Sequence, residues 1–336
     1  MTQFKVLLIG LGQMGCGYDA DLPFISDLPA SSSQILSHAR SVACHPGFEL
    51  VAGIDPDHAA CRRFETIYSK PAFLSLGSWH ATSACTAIDL VILAVHPRLQ
   101  PSLMDEVLAL MAPKAVLLEK PIALDLDQAS RIESRCAAFP SMIVAVNYIR
   151  RYLQPVRNWH DRLSTHHFGR LLHGSITYGK GLLSNGSHFV NLAEFWLGPL
   201  AFKRMLDLGP VCQGYDREAS IELSALKHDH ASLYVHSIGS SGMRAGELDL
   251  WFERGRLSWL NDGQSILSWA RTGHRLNDDY ESLEHRPHAE HTGMRRYQHD
   301  VMDSLHHALL LDNPALIPCR LEDAVATLHS IAWPFM

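Results

Sequence analysis

Five segments near the start of the chain are apolar almost without a break: "FKVLLIG" from Phe4, "FELVAGID" from Phe48, "IDLVILAV" from Ile88, "AVLLEKP" from Ala115 and "MIVAVNY" from Met142. Strands covered on both faces read this way, whereas a strand with one wet face alternates apolar and polar residues. Helical spacing fills the gaps. Ile35, Leu36, Ala39, Val42 and Ala43 make one face after the capping serines Ser31 to Ser33, and Pro46 with Gly47 stops it. Asp125 and Gln128 resemble a capping box ahead of Ile132, Cys136 and Phe139. Strands alternating with helices require right-handed crossovers, so residues 1–150 are predicted to form a doubly wound parallel sheet of the α/β class.

The pattern changes after Arg151. A helix opens near Pro155, another is expected from Ser187 to Leu197, and "SIELSAL", "ASLYVHSIG", "GELDLWFERGRLSWL" and "SILSWAR" alternate as strands of a mostly antiparallel sheet with one open face. Helices are expected from Met294 to Leu311 and from Leu321 to Trp333, the last packing back on the first domain. Residues 151–336 thus read as a second, α+β domain. A chain of 336 residues with 47% apolar and 19% charged residues is too large for one comfortable core, which agrees with two domains.

Composition removes several function classes. The net charge of −6, with signs interspersed, offers no basic stripe for a nucleic acid. No apolar run approaches the roughly 20 residues of a membrane-spanning helix, and the N-terminus lacks a signal-peptide layout. A cytoplasmic protein without nucleic-acid or membrane partners is expected. The seven cysteines are scattered and never form C-x-x-C, and the 21 histidines show no ligand spacing, so neither a disulfide scaffold nor a metal site is expected.

Gly10, Gly12 and Gly15 form G-x-G-x-x-G, with Gln13 and Met14 between, directly after the first strand. A tight turn, close approach of backbone to a pyrophosphate and close helix packing each exclude a Cβ, which is why dinucleotide sites use glycine there. Asp55 ends the second strand, placed to accept hydrogen bonds from adenosine ribose hydroxyls. It lies 40 positions after Gly15, and the excess over the usual interval is an inserted loop, Cys16 to Ser33. A carboxylate there repels a 2′-phosphate, so NAD is expected ahead of NADP.

Ligands of open parallel sheets sit beyond the carboxyl ends of the strands. Gly10, Asp55, Val95 with His96 and Pro97, and Glu119 with Lys120 and Pro121 all fall at such ends. Lys120 is therefore an active-site candidate, and a cis Lys120–Pro121 bond would aim it into the crevice. Taken alone, a lysine after a strand is usually a solvated charge.

Four elements in register, "IGLGQMG", a strand ending in "EKP", "VNYIRRYLQP" and "GSHFVNLAEFWLG", make nearly the whole chain resemble the Gfo/Idh/MocA oxidoreductases. The resemblance implies hydride transfer between a nicotinamide and a sugar-like alcohol, with Lys120 and His188 at the family's catalytic lysine and histidine. Histidine suits such chemistry because it takes up a hydroxyl proton near neutral pH, and a lysine can hydrogen-bond the same oxygen. Asn147, Tyr148, Arg150, Lys180, Asn185 and Asn191 are candidate substrate contacts. Ser184 stands where relatives often carry an aspartate, Asn191 where an aspartate is common, and "RLQP" after Pro97 lacks a frequent histidine, which points away from inositol and simple glucose. The expected substrate is a sugar, sugar acid or nucleotide sugar. Two alternatives remain open: a nicotinamide-binding sensor without turnover, and an enzyme with tightly held cofactor giving net epimerisation or elimination. Trp251, Trp259 and Trp269 near the open sheet predict a homodimer or homotetramer joined there.

Overall fold

The computed structural model describes residues 3–22, 34–83, 86–239, 246–261, 263–275 and 281–332. It forms two compact units, Met1–Tyr152 with Arg295–Ala324, and Leu153–Met294 with Val325–Met336.

The first unit carries strands β1 (Phe4–Ile9), β2 (Phe48–Ile54), β3 (Ala72–Phe73), β4 (Leu90–Leu93), β5 (Ala115–Leu118) and β6 (Ile143–Val146). They form one parallel sheet in the order β3-β2-β1-β4-β5-β6, the doubly wound arrangement, whose order reverses between β1 and β4. All four residues of β4 and of β5 have no exposed surface, as expected for strands covered on both faces. Truncating one of their leucines, such as Leu117, to alanine is expected to cost about 2–5 kcal/mol.

The helices are α1 (His38–Cys44), α2 (His58–Tyr68), α3 (Leu76–Ser83), α4 (Gln100–Leu110) and α5 (Leu126–Ala137). Helix α5 starts as expected: Asp125 accepts the Gln128 N–H at 2.8 Å, and the Gln128 amide returns to the same carboxylate at 2.6 Å. Helix α1 differs from expectation. Its cap is Ser37, and Ile35 precedes the helix as a buried residue, while Ser31 to Ser33 lie outside the described residues. The reason is Asp19, which accepts the N–H groups of Leu36 and Ser37 and the Ser37 hydroxyl, pinning this stretch in a non-helical path. Arg40 donates to the Asp19 and Leu22 carbonyls, so the start of the insertion is tied to α1.

The second unit opens with α6 (Gln154–Ser164), β7 (Leu171–Tyr178), α7 (Ser187–Leu197) and β8 (Leu200–Asp207). A two-residue ladder, β9 (Val211–Cys212) with β10 (Asp216–Arg217), follows. Strands β11 (Ser220–Ala225), β12 (Ala231–Ser237), β13 (Gly246–Phe252), β14 (Gly255–Leu260), β15 (Ser265–Arg275), β16 (Glu281–Leu283) and β17 (His288–His291) complete the elements of its sheet. The order is β16-β15-β14-β13-β7-β12-β11-β8, with β17 on β15; every pairing is antiparallel except β7 with β12. One face carries Ile176, Leu233, Leu248, Leu250, Leu257 and Trp259, all with no exposed surface. Trp259 therefore belongs to the covered face, against the expectation that grouped it with Trp251 and Trp269. On the other face the Arg256 guanidinium lies 4.7 Å from the rings of both those tryptophans.

Two helices close the chain, α8 (Tyr297–Leu311) and α9 (Leu321–Ile331). Helix α8 packs on α1 and on the turn Ile149–Tyr152, which returns residues 295–324 to the first unit instead of leaving a single division at residue 150. Helix α9 stops short of Trp333, which lies outside the described residues. No described helix is long and apolar enough to cross a membrane.

Candidate active site

In the first unit, ladder hydrogen bonds continue just past the strands. The N–H groups of Gly10, Ala94, Glu119 and Asn147 donate to the carbonyls of Ile54, Ile9, Leu93 and Leu118 at 2.7–3.2 Å, and that of Asp55 donates to Phe73 at 3.0 Å. The residues that follow β1, β2, β4, β5 and β6 thereby line up along one edge of the sheet. Gly10, Asp55, Val95, His96, Glu119, Lys120 and Asn147 all stand at that edge.

The three glycines differ in what a side chain would meet. At Gly10, with φ of +95°, a Cβ would lie 2.3 Å from the Ala94 carbonyl oxygen, and at Gly15 it would lie 2.0 Å from that of Gly10. At Gly12 it would meet nothing within 4 Å. Two glycines are thus required by the fold, and the middle one leaves an open approach to the backbone. That is the fit a pyrophosphate needs. Gln13–Gly17, which includes Gly15, makes a π-helical turn, with Gln13 exposed and Met14 half-buried.

Asp55 braces this turn. Its Oδ2 accepts the Leu11 N–H at 2.7 Å and its Oδ1 the Asp57 N–H at 2.9 Å, while Arg63 donates to the Leu11 carbonyl at 2.5 Å. Each carboxylate oxygen keeps a lone pair for a further donor. His96 caps the turn Pro97–Leu99, its Nδ1 accepting the Arg98 N–H, and partial burial followed by the Arg98 charge pushes its pKa down.

Lys120 is half-exposed and precedes a cis bond to Pro121. Gln100, fully buried, donates to the carbonyls of Glu119 and Pro121 on either side of it. The Glu119 carboxylate, 6% exposed, accepts the Lys120 N–H at 3.2 Å, the Asn147 amide at 2.7 Å and His38 Nε2 at 2.7 Å. Asn147 is thus committed to Glu119 within the first unit. Tyr148 and Arg150 are also buried, the latter in the turn Ile149–Tyr152. Sequence reasoning missed His38, Gln100 and Gln298, whose amide nitrogen lies 3.4 Å from the His38 ring nitrogens; nothing in their spacing sets them apart.

In the second unit His188 is the second residue of α7 and is half-buried. A π-helical turn, Leu182–Gly186, leads into it from Gly181, whose φ is +92°. Asp216, with no exposed surface, organises that turn: it accepts the N–H groups of Leu183, Ser184 and Arg217 at 2.7–3.0 Å. A Cβ on Gly181 would lie 2.1 Å from its Oδ2, so glycine is required there. Ser184 Oγ lies 3.2 Å from both Gln213 Oε1 and Tyr215 OH. Asn185 donates to the Gly179 carbonyl at 2.7 Å, and Asn191, buried, donates to Thr327 at 2.9 Å. Lys180 is exposed, and its N–H is held by the buried Glu218 at 3.1 Å. Ser184 and Asn185 thus lie in the turn that leads into α7, Lys180 lies just before it, and Asn191 is bonded to α9. Gln213, Tyr215, Asp216 and Glu218 had no sequence signal.

Among the described residues one trio has metal-ligand spacing, His299, Asp300 and Asp303. His45 adjoins it, with Nε2 3.0 Å from Asp303, but its Nδ1 accepts the Gly47 N–H at 3.0 Å. Its proton therefore sits on Nε2, and a metal there would force Nδ1–H against N–H. His45 acts as a donor to Asp303, not as a ligand.

Residues 4–148 match the model of the GFO_IDH_MocA family, described as an oxidoreductase family with an NAD-binding Rossmann fold. That segment, which carries the sheet of the first unit, is similar to the Gfo/Idh/MocA family. Comparison with curated protein sequences gives no match. Among solved structures the chain resembles WlbA dehydrogenase from Bordetella pertussis, in complex with NADH and UDP-GlcNAcA, at 15% identity and a TM-score of 0.72, covering 97% of this chain and 93% of that one. It also resembles KijD10, a 3-ketoreductase from Actinomadura kijaniata in complex with NADP, at 14% identity and a TM-score of 0.71, covering 98% and 96%. An oxidoreductase from Agrobacterium radiobacter, in complex with NAD+, L-tartaric acid and magnesium, aligns at 15% identity and 0.69, covering 97% and 93%. These likenesses extend the shared fold over both units; the matched segment is that of an oxidoreductase family with an NAD-binding Rossmann fold.

Proposed function

We propose that this protein transfers a hydride between NAD and a secondary alcohol of a sugar, sugar acid or nucleotide sugar. The observation that carries the reading is the sheet edge of the first unit, where the open Gly12 backbone, the braced Asp55 carboxylate and Lys120 follow three strands of one sheet. When bound, the nicotinamide supplies the hydride acceptor or donor. The backbone of Gly10–Gly15 would hold the pyrophosphate, and Asp55 the adenosine ribose. That carboxylate, already turned toward Leu11, disfavours an added phosphate and supports NAD over NADP. Lys120 would hydrogen-bond the reacting oxygen, and His188 would exchange the hydroxyl proton.

Lys180, Ser184 and Asn185 support a hydroxyl-rich substrate, with Lys180 available for a carboxylate or phosphate. The relatives in complex with UDP-GlcNAcA and tartaric acid lend weight to acidic sugar derivatives as the first compounds to test. We also propose that copies of the chain associate through the outer face of the nine-stranded sheet, where Trp251 is 37% exposed; light scattering that finds a monomer would refute this.

The test is incubation of the purified protein with NAD or NADP and a panel of sugars, sugar acids and nucleotide sugars, following absorbance of the reduced nicotinamide. Turnover on one class names the substrate. Tight NAD binding with no turnover on any compound favours the sensor, and cofactor that copurifies at nearly one per chain favours net epimerisation or elimination.

A further inference from the structure

Glu119 is a carboxylate almost without water, and its partners are unevenly placed. One oxygen, Oε2, holds the backbone N–H of Lys120, while Oε1 takes both Asn147 and His38. His38 is itself 1% exposed, and the Gln298 amide nitrogen lies 3.4 Å from both of its ring nitrogens. A buried carboxylate keeps one rotamer only while its donors stay in place. His38 is the donor that comes from a separate helix, α1, whose start is fixed by Asp19 and Ser37.

We propose that His38 is a positioning residue for Lys120: its imidazole locks the Glu119 rotamer, and Glu119 in turn fixes the backbone from which Lys120 projects. This rests on the reading of Lys120 as the group that touches the reacting oxygen. The Lys120 N–H bond is the link, because a core contact would have no reason to end on the residue directly before the lysine with its second oxygen on that lysine's own backbone. Gln100 holds the same turn through carbonyls and needs no carboxylate, so loss of His38 should loosen Lys120 without dismantling the turn.

The experiment uses full-length His38→Leu and His38→Gln, each also combined with Lys120→Ala. Leucine keeps bulk and removes the donor; glutamine keeps a donor. Three quantities are measured: NADH affinity by fluorescence titration, kcat and KM on the best compound of the panel, and the acetylation rate of each lysine with sulfo-NHS acetate, resolved by mass spectrometry. His38→Leu should lower kcat about 10- to 100-fold with NADH affinity unchanged. It should alter the acetylation rate of Lys120 but not of Lys5 or Lys203. His38→Gln should restore most of the loss, and in the Lys120→Ala background His38→Leu should cost nothing further.

Unchanged kcat and unchanged Lys120 acetylation in His38→Leu would overturn the proposal, as would a full additional loss in the Lys120→Ala background. Should His38→Leu fail to fold, His38→Asn, polar but too short to reach Oε1, replaces it with the same expected outcomes. Full activity in Lys120→Ala alone would instead refute the catalytic reading, so the two failures are told apart.

Discussion

Two turns carry the candidate catalytic residues, and each is held by one buried carboxylate, but the two are built differently. Before Lys120 the carboxylate is Glu119, the adjacent residue, gripped mainly by side chains from α1 and from the end of β6. Before His188 it is Asp216, which lies 32 positions beyond the Ser184 it holds and accepts only backbone N–H groups. The first is a side-chain network around a conformation that Pro121 and Gln100 also support. The second relies on one carboxylate for the N–H groups of Leu183 and Ser184, beside the side-chain bonds of Ser184 and Asn185. Function should therefore be the sensitive quantity in the first, and stability in the second.

Substitution of the reactive groups should have the largest effect. Lys120→Ala and His188→Ala should each lower kcat by about 10²–10⁴-fold, with little change in thermal unfolding because both side chains are partly exposed. Steady-state kinetics beside calorimetry checks this; a large loss of stability in either would break the contrast.

Asp216→Ala comes next. It leaves two N–H groups of the turn, those of Leu183 and Ser184, and that of Arg217 without an acceptor, at about 1–3 kcal/mol for each one that water cannot reach. Chemical denaturation should show that loss, whereas Glu119→Gln, which keeps an acceptor for Lys120, should lose activity more than stability. Equal stability losses in the two variants would erase the distinction between the two turns.

Within the first unit the glycines sharpen the same separation of fold from function. Gly15→Ala forces a Cβ onto the Gly10 carbonyl and should destabilise the protein, but Gly12→Ala meets open space and should leave unfolding within about 0.5 kcal/mol of wild type. The second variant should nonetheless bind NADH more weakly, which fluorescence titration will show.

The smallest expected effect is a pH dependence in the second unit's sheet. Hydrogen bonds from Lys203 and Ser232, with Arg204 adding its charge, outweigh burial and hold Glu222 at about 2. The folded value is below that of the unfolded chain, about 4.3. Its stabilising contribution is thus complete above that pH and is lost as pH falls toward 2. Because Lys203 and Arg204 are half in water, the change should be under about 1 kcal/mol. The difference between wild type and Glu222→Gln in thermal unfolding should narrow as pH falls from neutral to about 2; curves that stay parallel would contradict the assignment.

The parallel sheet was legible because its strands are buried on both faces and so lack polar interruption, and the glycine turn because steric exclusion of a Cβ leaves a local mark. Glu119, Lys120 and Pro121 were legible for the same reason, being contiguous. Helix α1 was displaced from its expected start because Asp19, from the inserted loop, outcompetes local helix propensity for the N–H groups of Leu36 and Ser37. Trp259 was misplaced because alternation alone leaves open which face of a strand is covered. Asp216 and His38 were invisible since their partners are distant in the chain, and a histidine among 21 carries no label until the fold closes.

The proposed chemistry requires Lys120 to act on a substrate beside a dinucleotide held at the glycine turn. Reduction of NAD by wild type and by Lys120→Ala, with the best compound of the sugar panel and NADH affinity measured in parallel, tests it directly. Wild type should turn over while Lys120→Ala binds NADH equally well and reduces NAD at least about 100-fold more slowly. Equal rates in the two proteins, or a wild type that binds neither nicotinamide nucleotide, would contradict it.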